Sequence, residues 1–152
     1  MNYWLMKSEP EVFSIDDLAR ARAKTTGWDG VRNYQARNIL RSMKACDLAF
    51  YYHSNAEPPG VAGVVKVVRE AYPDPTQFDP EDGHYDAGSP KDAPRWWQVD
   101  VQFVEKLKRL VSLDQIRSEP RLKGMVLLKS GRLSVQPVTP AEWKVIEALA
   151  RA

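Results

Sequence analysis

Residues 47–71 read DLAFYYHSNAEPPGVAGVVKVVREA, and they decide the class of fold. Asp47 to His53 and Val61 to Ala71 are rich in Val, Phe and Tyr, side chains that pack well on a pleated surface. Ser54 to Gly60 between them holds Pro58, Pro59 and Gly60, the composition of a tight connection between antiparallel strands. The stretch predicts a hairpin, and the fold is expected to be built on such strands.

Toward the N-terminus, Tyr3 to Met6 is a short strand ended by Lys7-Ser8-Glu9-Pro10, because proline disfavours helix at the residue before it. Ser14, followed by Asp16 and Asp17, caps a short helix through about Arg22. Thr25 to Gly30 carries two glycines around Trp28 and Asp29 and reads as loop. Asn33 then caps a helix through about Met43, with Arg37 and Arg41 one turn apart on one face. Toward the C-terminus, Tyr72 to Pro94 concentrates prolines and acids and reads as an irregular surface excursion. Arg95 to Lys106 alternates Trp97, Val99, Val101 and Phe103 against Trp96, Gln98, Asp100 and Gln102, a strand with one polar face. Ser112 opens a helical segment to about Arg117, Leu122 to Leu128 predicts another, and Leu133 to Val138 a final strand. Thr139-Pro140 starts a closing helix to Leu149. Five strands with peripheral helices predict an α+β chain, one domain over residues 1–152, in which an antiparallel or mixed barrel replaces the regular alternation of a parallel sheet.

Hydrophobic residues at 43% and charged residues at 28% exclude a largely disordered chain. No apolar run approaches the roughly 20 residues that span a bilayer, and no secretory signal is visible, so a cytoplasmic protein without membrane contact is expected. The single cysteine, Cys46, precedes an apolar run and is expected in the core. Net charge is only +2, but Arg20 to Lys44 holds seven cationic side chains against one acid, Asp29, and Asp74 to Asp92 holds six acids against Lys91. A basic face on a nearly neutral chain fits a few phosphate contacts; two solvated surfaces fit it as well.

His53 and His84 have no partners at the spacing of a metal site, so no metal and no cofactor are expected. His53 ends a strand beside Ser54, and a hydrogen bond to backbone is its expected role. The acid pairs fall in a helix start and an acidic loop, where capping and solvation account for them. What remains is aromatic: Trp28, Tyr34, Tyr52, Trp96 and Trp97 could stack on a planar base. Trp97 lies on the apolar side of its strand and is expected to pack, Tyr3, Trp4 and Trp143 are core, and Trp28 stays open between stacking and packing.

Taken together and in order, Trp4 to Pro10, Trp28 to Asn38, Phe50 to Asn55, Glu70 to Asp74 and Pro94 to Trp96 closely resemble the EVE domain family over essentially the whole chain. The resemblance implies a PUA-like mixed β-barrel of about five to six strands with peripheral helices, related to the YTH domains that read methylated adenine. It implies a pocket beside the barrel that encloses a flipped-out modified base of DNA or RNA, such as a methylated or hydroxymethylated cytosine. The matching positions are Lys7, Ser8, Glu9, Trp28, Asp29, Asn33, Tyr34, Ser54, Asn55, Arg95 and Trp96, with Arg32, Arg37 and Arg41 meeting phosphates. For Lys7 and Arg37 a second reading stands beside this one, pairing with Glu9 or Asp29 to hold the loop. The expectation is a monomeric binding module; an enzyme acting on a nucleotide or small modified base in the same pocket, and a scaffold for protein partners, are the alternatives.

Overall fold

The structure, a computed structural model, describes all 152 residues. Six strands form one mixed sheet: β1 (Tyr3–Ser8), β2 (Thr25–Gly27), β3 (Leu48–His53), β4 (Gly60–Pro73), β5 (Trp97–Ser112) and β6 (Val135–Val138). Their order is β2-β5-β4-β3-β1-β6, with β1 and β3 parallel and every other neighbour antiparallel. The hairpin read from residues 47–71 is the β3–β4 pair, with Leu48 opposite Lys66 and His53 opposite Gly60.

Irregular register curls the sheet. Gly63 faces Lys106 while Val61 faces Val111, so β5 carries extra residues between these points, and a bulged strand bends. Five of the six strands then turn one face onto a common interior: Trp4 and Met6, Ala49 and Tyr51, Ala62, Val65 and Val67, Val99 and Val101, and Val135. This is the barrel-like architecture expected of a PUA-like α+β fold, although β2 and β6 remain unpaired edges. Helices α2 (Ile15–Arg20) and α3 (Tyr34–Ser42) supply Ile15, Leu18, Ala36 and Leu40 to the same interior. The opposite face packs Leu5, Phe50, Val61 and Val111 against the closing helix α6 (Pro140–Arg151), whose Trp143 stacks between Phe50 at 3.7 Å and Tyr3 at 4.6 Å. Both faces are buried, which is why β3 and β4 read as continuous apolar runs.

Several boundaries differ from expectation. Pro10–Phe13 forms a helical turn, α1, since proline is suited to a first helical position. Thr25–Gly27, expected as loop, pairs with Asp100–Gln102 of β5 as the sixth strand. α4 covers Leu113–Arg117, and the helix expected over Leu122–Leu128 is a 3₁₀ turn at Pro120–Leu122 followed by α5 at Val126–Lys129. Cys46 is exposed rather than buried: it occupies a left-handed turn position, φ 75°, where its N–H donates to the Val67 carbonyl and its side chain points out. The buried residue of that turn is Asp47, which accepts the indole N–H of Trp4 at 3.0 Å and the N–H groups of Asn2 and Lys44.

Candidate functional site

The segment Trp28–Asn33 links the β2 edge to α3, and the acidic excursion fixes its path. Asp74 is fully buried; its carboxylate accepts from the Gly30 N–H at 2.8 Å, from Arg32 at 3.1 Å, and from the N–H and hydroxyl of Thr76. Burial alone would raise this carboxyl, but those hydrogen bonds outweigh it and hold it below the usual carboxylate range. Gly30 has φ +77°, a left-handed conformation that favours glycine, and the His84 ring lies against its open side. Buried Gln77 ties the excursion to Trp96: its amide donates to the Asp74 and Trp96 carbonyls and accepts from the Trp96 N–H and the Ser89 hydroxyl. The excursion is irregular, as expected, yet two of its acids, Asp74 and Asp86, are structural partners and not part of a solvated face.

Around this clamp stand eight of the residues singled out in the sequence. Asp29 is exposed and has no protein partner; loss of water around its carboxyl, then the charges of Asp74 and Asp82, raise it above the usual range. Asn33 accepts the Ala36 N–H as the cap of α3, leaving its amide N–H groups outward. Tyr34, 53% exposed, lies tilted 4.9 Å from Trp96. Trp96 is buried, its indole N–H donating to Asp86 at 2.7 Å, because it precedes β5 and escapes the strand's alternation. Arg95 reaches Asp86 at 3.4 Å. Arg37 lies 4.8 Å over Tyr34 and donates to the Arg95 carbonyl and the Asn38 side chain, not to Glu9 or Asp29. Arg32 directs its donors to Val31, Asp74, Thr76 and His84, so the geometry makes it the clamp of the loop. Arg41 stands one turn beyond Arg37, 4.6 Å over Trp97, which is only half-buried.

A second group gathers where the parallel strands β1 and β3 end together. Ser8 donates to the Phe13 carbonyl at 2.8 Å, and the Tyr51 hydroxyl donates to the same oxygen at 2.5 Å. Burial pushes that phenol up to about 12. Glu9 accepts from Asn55, and the Ser54 N–H donates to the Ser8 carbonyl. His53 accepts the Ile15 N–H at 3.1 Å through Nε2, the backbone role expected of it, and burial lowers its pKa. Lys7 is set apart. Alternation turns it to the other face, where its ammonium donates to the Gly131 carbonyl and lies 5.7 Å from the Tyr52 ring. Neither Glu9 nor Asp29 pairs with it, and burial lowers its pKa.

Trp28 connects the two groups. Its N–H donates to the Val99 carbonyl, anchoring the loop to β5, and its ring meets Tyr51 edge-on at 5.4 Å with 8% of the residue exposed. Its indole N–H has no acceptor in the protein, yet it is not sealed from solvent. Trp28 therefore packs and still presents a polar edge. Sequence reasoning assigned no role to Asp74, Gln77 and Asp86; the Tyr72-Pro73-Asp74-Pro75 turn was the available signal, a capping Asp between prolines.

The arrangement has relatives. The family model described as EVE domain matches residues 2–149. Thymocyte nuclear protein 1 of Rattus norvegicus is 51% identical over 168 residues, covering 99% of this chain and 74% of that protein. Among solved structures, human THYN1 protein in complex with 5-methylcytosine containing DNA superposes with a TM-score of 0.97 at 48% identity, covering 100% of this chain and 99% of that one. A hypothetical protein from Leishmania major gives 0.95 at 45% identity, covering 99% and 95%.

Proposed function

We propose, from the premise that this chain belongs to the EVE domain family, that it is a nucleic-acid-binding module that recognises a modified base and performs no catalysis of its own. The observation that carries the reading is the whole-chain likeness to human THYN1, a protein whose structure holds 5-methylcytosine containing DNA. The geometry supports it. A base drawn out of its strand needs an apolar wall and a few unsatisfied polar groups at its edge. Beside the partly exposed edge of Trp28, the Asp29 carboxylate has no protein partner and the Asn33 amide keeps its donors free. A carboxylate accepts from the exocyclic amine of cytosine, so Asp29 suits a cytosine-type base. Tyr34, exposed and braced on Trp96, offers a further aromatic surface.

Binding to oligonucleotides carrying cytosine, 5-methylcytosine, 5-hydroxymethylcytosine or N6-methyladenine tests this at fixed salt. The wild type is expected to prefer a modified cytosine, and Asp29→Asn, which loses the acceptor for the exocyclic amine, to bind every cytosine form more weakly, by roughly ten- to a hundredfold. Unchanged affinity for the cytosine forms in Asp29→Asn would remove Asp29 from the recognition of the base. Because the raised carboxyl protonates earlier than an ordinary aspartate, the affinity of the wild type for the cytosine forms weakens as pH falls from neutral, before a free Asp would titrate.

A further inference from the structure

We propose that Trp97 positions Arg41, and that the Arg37–Arg41 row on α3 carries phosphates of the strand flanking the recognised base. This rests on the reading above. Arg41 is exposed, has its guanidinium carbon 4.6 Å over the centre of the half-buried Trp97 ring, and makes no hydrogen bond or ion pair within the protein. Arg37, one turn earlier, lies 4.8 Å over Tyr34; Asn38 and the Arg95 carbonyl take three of its five N–H groups and leave two for a ligand. Neither meets a carboxylate; the acids closest to the end of α3 are engaged elsewhere, Asp47 with Trp4 and Lys44, and Glu70 with the Ala45 N–H.

Face contact with an aromatic ring leaves the guanidinium's N–H groups pointing outward along its edge, the geometry that meets a phosphate bidentately. It also restricts a flexible side chain before the ligand arrives, which lowers the ordering cost of binding. The two arginines are about 6 Å apart along the helix axis. At the other end of the row Arg95 is drawn to Asp86, so the acidic excursion bounds the track and the strand leaves along α3 toward Lys44. Arg32, saturated by the protein, has no place in the track.

The test uses an oligonucleotide with one 5-methylcytosine and its unmodified twin, titrated between about 50 and 200 mM salt. Arg41→Gln and Trp97→Leu are each expected to weaken both ligands by a similar factor, roughly tenfold at low salt. Each should also reduce the slope of log affinity against log salt by about one phosphate, ~0.9 on a duplex or ~0.7 on a single strand. The preference for the modified base stays at its wild-type ratio. Trp97→Phe, which keeps a ring beneath Arg41, restores the slope, a result that a purely structural tryptophan would not produce. A wild-type slope in Arg41→Gln overturns the proposal whether or not Trp97→Leu folds. A wild type without base preference would instead sink the reading of the preceding section, and a slope change in Arg41→Gln would stand apart from it.

Discussion

The guanidinium of Arg32 and the carboxylate of Asp74 meet at 3.1 Å with the carboxylate wholly shielded from water. Removing one partner of such a pair leaves a buried charge without compensation. Arg32→Ala is therefore expected to cost about 3 kcal/mol in urea unfolding, at an unchanged m-value. Because Asp74 is held below its ordinary pKa, its contribution is present above about pH 3.9 and is lost as pH falls through the lower folded value. In Arg32→Ala that loss begins at a higher pH. A cost under about 1 kcal/mol would mean that other contacts hold the loop. Asp29 behaves oppositely: its charged form is disfavoured by the fold, so Asp29→Asn is expected to raise the thermal midpoint at neutral pH while binding declines. A lowered midpoint would show that the carboxylate stabilises the free protein. Two neighbouring acids thus shift in opposite directions, and only their surroundings distinguish them.

At the scale of elements, β3 reaches α2 through His53, whose ring accepts the Ile15 N–H at the helix start. Only the neutral imidazole can accept there. With its folded pKa lowered, the stability that His53 contributes is present above about pH 6.5 and is lost as pH falls through the folded value. Thermal melts at pH 7.5 and 5.5 should show a larger drop in the wild type than in His53→Gln; equal drops would exclude the bond as a pH-sensitive tie. Elements with a local chemical cause were legible in the sequence: the caps at Ser14, Asn33 and Thr139 each accept the expected backbone N–H. β2 was not, because three residues, Thr-Thr-Gly, carry no alternation and become a strand only through β5. Cys46 was misplaced because the apolar run after it hides a turn whose left-handed residue must point outward.

At the scale of the whole molecule, the barrel and its helices were legible because hydrophobic periodicity and cap chemistry agree with each other along most of the chain. The gathering of Asp29, Asn33, Tyr34, Arg95 and Trp96 was legible; the partners each one keeps were not, and Lys7 falls on the other face. Arg32, Arg37 and Arg41 lie in one basic segment, yet one is locked to Asp74 and one is free on Trp97, a division set by residues 40 or more positions away. Charge counting cannot see such pairing. The same long-range network gives the loop at Trp28 a fixed shape in the free protein, which favours a preorganised pocket over one that forms on binding. The most direct test of the central claim is the ratio of dissociation constants for one oligonucleotide with a single 5-methylcytosine and its cytosine twin, at one salt concentration. A clear preference for the methylated base, about tenfold or more, is the predicted result. Equal affinity for this pair and for the hydroxymethylated and N6-methyladenine forms would contradict it.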